Sequence, residues 1–187
     1  MAKLIFLPAF FAGICLLPFT SAFAQQITDP ASPYTLKAGG GLVYGTEIEN
    51  AGLQLNGYYR LPANEQIFVG GDLTYFFPDS ESFPGGSSSQ RLLAININGQ
   101  YHFYQENEIG AYGMGGLNYA MLRFSSEFDD IGDEFDVSET ESEIGLNIGA
   151  GVEYELDFGL IYGEIKFVIS DFDQLVIGAG VRLPFDM

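Results

Sequence analysis

Nine acidic residues crowd the 17 positions from Glu127 to Glu143, a carboxylate density able to attract Ca²⁺. The weak candidates for ligands are Asp129, Asp130 and Asp133. The run Asp129-Asp130-Ile131-Gly132-Asp133 lacks the alternating spacing of a calcium loop, however, so a solvated, negatively charged loop is the expectation. Weak binding of a divalent cation is the alternative reading. His102 is the one histidine, and imidazole catalysis would need a Ser or Asp partner beside it. The glycine clusters Gly39-Gly40-Gly41 and Gly113-Met114-Gly115-Gly116 lie inside alternating runs with no helix after them, which removes a nucleotide-binding reading. No cofactor is expected.

The first 24 residues differ from the rest. Lys3 precedes an apolar run that closes at Ala22-Phe23-Ala24, the small-x-small pattern of a cleavage site, so 1–24 reads as a signal peptide. Cys15 sits in this leader, and Ile14 stands where a lipoprotein would need a small residue. A short linker at 25–33 and one domain at 34–187 follow. Without Lys3, six basic residues face 25 acidic ones, a net charge of −19. Such a surface repels nucleic acid. With the leader's Cys15 removed no cysteine remains, which excludes disulfides and thiolate metal sites.

From Tyr34 onward the hydrophobic period is two, the mark of strands with unlike faces. Between Glu141 and Leu156 the even positions carry Ile144, Leu146, Ile148, Val152 and Tyr154, while the odd ones carry only charge, amide or glycine. The same alternation recurs over 34–46, 51–61, 67–77, 91–104, 159–170 and 174–185. The run 109–125 is ambiguous around Leu117 and Asn118, where a bulge is expected. Eight strands result. At ~3.3 Å per residue and a tilt near 40°, 10 to 13 residues span roughly 25–30 Å, the thickness of a bilayer core. Short turns at 62–66, 105–108 and 157–158 share one end. Two long loops, 78–90 and 126–140, share the other.

The apolar faces carry one charge, Arg91, at an outer strand end. Aromatics gather near both ends: Tyr44, Tyr75, Phe77 and Phe124 at one, Tyr59, Tyr101, Phe103 and Tyr154 at the other. Paired girdles point to a membrane barrel with its apolar face toward lipid. The polar face must then fill a lumen barely wide enough for its own side chains. By parity Lys37, Arg60, Arg123, Lys166 and Arg182 point inward with Asp72, Glu143, Glu153, Glu155 and Glu164, and five bases should pair five acids as a plug. Lys37, Arg60 and Arg182 are expected within reach of Glu153 and Glu155. Inward glycines leave room for these long side chains.

The chain resembles the small OmpA/OmpX-like, porin-like outer-membrane β-barrel family across roughly 34–185. The resemblance rests on the eight-strand layout and on Arg60-Leu61-Pro62-Ala63-Asn64-Glu65 at a periplasmic turn. It rests also on Ile67-Phe68-Val69-Gly70-Gly71 at a strand start and on the ending Arg182-Leu183-Pro184-Phe185. It implies an all-β, eight-stranded antiparallel up-and-down transmembrane barrel in the cell outer membrane. It also implies that the barrel-assembly machinery reads Phe185, although Asp186 and Met187 follow it. Periplasmic chaperones, outer-membrane lipid and lipopolysaccharide are the expected partners, and a monomer the expected state. A non-enzymatic role in envelope structure or surface contact leads. A narrow porin for small solutes is the alternative. A lipid-A-modifying enzyme is third, because His102 points inward near the periplasmic end.

Overall fold

A computed structural model of the chain describes residues 34–83, 86–128, 137–171 and 173–185. The stretches expected as a leader (1–24) and a linker (25–33), and the acids Asp129, Asp130 and Asp133, lie outside them. Eight antiparallel strands follow in order: β1 (Leu36–Gly45), β2 (Asn50–Leu61), β3 (Asn64–Phe83), β4 (Gly86–Glu106), β5 (Ile109–Phe128), β6 (Val137–Leu156), β7 (Gly159–Ile169) and β8 (Gln174–Phe185). Each pairs with its sequence neighbour, and β1 pairs with β8 from Leu36↔Phe185 to Gly45↔Val176, so the sheet closes. Closure leaves no free edge within the barrel, as a bilayer requires of every backbone polar group.

The pleat turns alternate residues in and out, and the sequence places its chemistry accordingly. On β2, buried Gln54, Asn56 and Tyr58 alternate with exposed Leu53, Leu55 and Tyr59. The distribution is inverted relative to a water-soluble domain. Leu55, Ile97 and Ile144 are 65%, 67% and 76% exposed, whereas Lys37 and Arg182 are 0% exposed. A continuous apolar exterior of this extent is a surface made to meet hydrocarbon.

The strands are unequal. β1, β2, β7 and β8 have 10, 12, 11 and 12 residues, while β3 to β6 have 20 or 21. Strand therefore extends into both stretches expected as loops, over 78–83 and 86–90 in the first and over 126–128 and 137–140 in the second. β3 pairs with β4 as far as Phe83↔Gly86, and β4 with β5 as far as Gly86↔Phe128. Serine- and acid-rich sequence hid this, because it carries no apolar alternation. At the other end the turns are short. In the β4–β5 turn Asn107 takes φ 53°, a left-handed conformation that its side chain tolerates.

Register breaks occur at Arg60/Leu61, Phe76/Asp79 and His102/Tyr104. The bulge expected at Leu117 and Asn118 is absent. β5 pairs with β6 without interruption from Ile109↔Tyr154 to Ser126↔Val137, and Leu117 is exposed while Asn118 is buried. One phase thus runs the length of β5, with consequences for Arg123 and Phe124 below.

Candidate functional site

The barrel wall surrounds a lumen filled by its own side chains. Long charged groups fit there because glycine stands beside them in register. Arg182 neighbours Gly39 across the β1–β8 seam, Glu164 lies between Gly151 and Gly178, Lys166 beside Gly149, and Glu153 beside Gly110. Gly151 also has a second duty: a Cβ there would come within 2.4 Å of the Tyr112 hydroxyl, so the tyrosine ring occupies the space that glycine leaves.

Arg182 is the hub of the half of the lumen nearer the short turns. Its Nε donates to Asn56 Oδ1 at 2.8 Å, and Nη1 donates to Glu153 Oε1 at 2.6 Å and to the Tyr112 hydroxyl at 3.1 Å. Nη2 donates to Glu164 Oε2 at 3.0 Å, and the guanidinium lies 3.8 Å from the centre of the Tyr162 ring. The planar fork of arginine suits this multiple engagement, which a lysine could not reproduce. Lys37 Nζ donates to both oxygens of Glu153, at 3.0 and 2.8 Å, and sits 4.1 Å above the Phe68 ring. Glu164 is completed by Gln54 Nε2 at 3.2 Å and the Tyr112 hydroxyl at 3.0 Å.

A second tier lies nearer the middle. Asp72 accepts from Thr74, Asn96 and Asn98, and from Lys166 Nζ at 3.2 Å to its nearer oxygen. Asn96 Oδ1 in turn accepts from Asn118 at 2.7 Å and Asn147 at 2.9 Å, and Asn147 also donates to Asn98 Oδ1. Lys37, Lys166 and Arg182 thereby balance Asp72, Glu153 and Glu164, all buried. Pairing of this completeness is what burial of charge demands, since an unpartnered buried charge costs several kcal/mol.

Toward the end where β3 to β6 extend, the lumen turns apolar. Val43, Ile48, Phe76, Leu92, Val168 and Val176 form a buried cluster, with Ala120 and Leu122 packed against it. Between cluster and polar tiers is a void of about 10 Å³, bordered by Thr74, Asn96, Asn118 and Lys166. That volume is about what one water molecule requires.

Six of the ten expected lumen charges belong to the hydrogen-bonded tiers, and four do not. Arg123 is exposed and lies on the outward phase of β5, because the missing bulge leaves the phase unchanged. For the same reason Phe124 falls on the inward phase and not in the outer girdle. Arg60 is half-buried beside the Arg60/Leu61 register break, and Glu155 accepts from the Tyr34 hydroxyl. Glu143 is half-buried near the top of β6, where one buried carboxylate oxygen has no hydrogen-bond partner among the described residues. The expectation of five pairs missed the tyrosines and amides that share the work. Their inward parity beside charged positions was the available signal.

His102 is buried, 4.8 Å from the Phe68 ring and 5.1 Å from Tyr112, with Lys37 Nζ at 3.4 Å from its Nε2. It is a packed lumen residue next to a cation. Among the described residues no cluster of His, Cys, Asp and Glu is arranged to hold a metal ion.

A family model described as the outer membrane protein beta-barrel domain matches residues 12–183. Among solved structures, the chain is similar to the N-terminal β-barrel domain of Pseudomonas aeruginosa OprF, at 13% identity and TM-score 0.52, covering 81% of this chain and 98% of that one. It is also similar to Neisserial surface protein A, at 17% identity and TM-score 0.52, covering 84% and 100%. The attachment invasion locus protein Ail of Yersinia pestis aligns at 19% identity and TM-score 0.49, covering 79% and 96%. A search of curated proteins returned no match.

Proposed function

Since the chain belongs to the outer membrane protein β-barrel family, we propose that it works from its outer surface as a non-conducting, non-enzymatic barrel, and not through its lumen. The observation that carries this reading is the extension of β3 to β6. Beyond Gly52↔Phe76 the β3 edge has no β2 partner, and above Leu146↔Ile169 the β6 edge has no β7 partner. A four-stranded sheet therefore projects past the barrel wall, and among the described residues neither of its two edges is paired. From Phe76 to Phe83 the projection amounts to roughly 25 Å of strand. Open edges recruit extended segments by main-chain pairing, and the acid- and serine-rich sequences Pro78-Asp79-Ser80-Glu81 and Ser138-Glu139-Thr140-Glu141 favour a basic partner segment.

The filled lumen supports the same reading from the other side. An ion crossing it would have to displace Arg182 from two carboxylates and then pass the apolar cluster. Planar-bilayer recording of the full barrel is the test: no steady current is expected, and steady ion currents would replace this reading with the narrow porin. Assembly follows the family reading, with Phe185, exposed on the outer face of β8, offered to the assembly machinery after chaperone delivery of a monomer. His102, buried beside Lys37, carries no enzymatic part in this proposal.

A further inference from the structure

The chain has seven basic residues, and two of them, Arg91 and Arg123, stand directly opposite each other across β4 and β5. Both are exposed on the outward face. Their direction is fixed from behind, because the adjacent register pair Leu92↔Leu122 packs into the apolar cluster of the lumen. Directly opposed residues of an antiparallel pair hold their Cβ atoms about 4.5–5.5 Å apart, and like charges so placed repel. In a protein of net charge −18 the juxtaposition is not one that general electrostatics would supply.

The surroundings are those of an anion site. On the same face, Ser89↔Ser125 is the next outward register pair above, and Thr140 and Ser142 lie on β6 beside Arg123. Below are Leu93 and Met121, with Tyr75 paired to Leu93 on β3. The nearest acidic position on the outward phase of these two strands is Glu127, two register pairs above the arginines and opposite Ser87, and among the described residues neither arginine is in an ion pair. The pair sits 12 residues along β4 from Phe103 in the opposite girdle, roughly 30 Å up the tilted strand. That height is the boundary between hydrocarbon and headgroups.

We infer that Arg91 and Arg123 form a binding site for the phosphate of an outer-leaflet lipid, its acyl chains lying down the greasy wall over Leu93, Met121 and Tyr75. Two guanidiniums can each give paired N–H donors to phosphate oxygens, and the ring of hydroxyls completes the shell. A bound phosphate removes the repulsion between the arginines, so occupancy also fastens β4 to β5 at the rim. The inference rests on the outer-membrane location and not on the surface-contact reading.

The test uses the full chain refolded in zwitterionic micelles, with bound lipid counted by native mass spectrometry. Bisphosphorylated lipid A should bind at least about tenfold more tightly than its dephosphorylated form, and R91Q/R123Q should erase that preference. R91K/R123K, which keeps both charges, should retain a phosphate preference. Heat-dependent gel mobility checks that every variant has folded. An equal preference in the wild type and R91Q/R123Q would overturn the assignment. So would displacement of the lipid by inorganic phosphate at equal concentration, which would mark a free-anion site instead. Failure here would leave the bilayer-current result untouched, and the converse also holds.

Discussion

The two halves of the lumen are built by the same strands in opposite chemistries. β8 contributes Arg182 to the ionic half and Val176 to the apolar cluster; β1 contributes Lys37 and Val43, β7 contributes Glu164 and Val168. The ionic half depends on direction. Each carboxylate of Glu153 and Glu164 must find donors at hydrogen-bond distance, and arginine supplies them from one fork. The apolar half depends on volume alone, with valines, an isoleucine, a leucine and a phenylalanine filling the cross-section. The apolar end also shields the ionic end from water, which strengthens every charge interaction beneath it. The inward phase of a barrel strand thus specifies where a side chain points, and position along the strand specifies what it must be.

The sharpest way to separate the halves is to remove the hub. Arg182→Met preserves bulk but leaves Glu164 with only Gln54 and Tyr112 as partners and turns the balanced network negative. A loss of about 3–5 kcal/mol is expected, the cost of leaving a buried charge uncompensated. The urea midpoint of the folded gel band in micelles measures it, and a loss below about 1 kcal/mol would show that the network does not hold the barrel. Leu92→Ala attacks the other half. It should cost about 2–4 kcal/mol through a cavity, with no charge involved. If the halves are energetically separate, the double variant should show the sum of the two losses to within about 0.5 kcal/mol. A larger discrepancy would mean that water admitted through the damaged apolar end weakens the ionic one.

Much of this was legible in the residue order. Parity alone places Lys37, Asp72, Glu153, Glu164, Lys166 and Arg182 in the lumen, and the inward glycines beside the long side chains announce where room is made. Parity fails where its phase must be carried through an uninformative stretch. Around Leu117 and Asn118 the small residues Gly113, Gly115 and Gly116 fit either face, so an imagined bulge turned Arg123 inward and hid its pairing with Arg91. The apolar cluster was unreadable for another reason: Leu92 and Phe76 each stand next to outward apolar residues, Leu93 and Tyr75, so both faces look alike there. The projecting sheet was missed because its serine- and acid-rich sequence carries no apolar alternation. Alternation is a signal of unequal faces, and it vanishes when the faces are equal.

Where the two halves meet, the asparagine tier tests how directional the polar half really is. Asn96 is both a donor to Asp72 at 2.6 Å and the acceptor for Asn118 and Asn147. Asn96→Leu therefore strips one partner from a buried carboxylate and leaves two amides short of an acceptor, although Asn147 keeps Asn98. About 2–3 kcal/mol should be lost, near the upper range for an unsatisfied buried group. Asn118→Leu removes only a donor, and Asn96 Oδ1 remains satisfied by Asn147. About 1 kcal/mol or less is expected, since a typical hydrogen bond contributes that much net and no group is orphaned. The same urea series orders the two. If Asn118→Leu costs as much as Asn96→Leu, the tier acts as packed volume, like the apolar cluster above it, and the boundary between the halves lies below Asn96 and not above it.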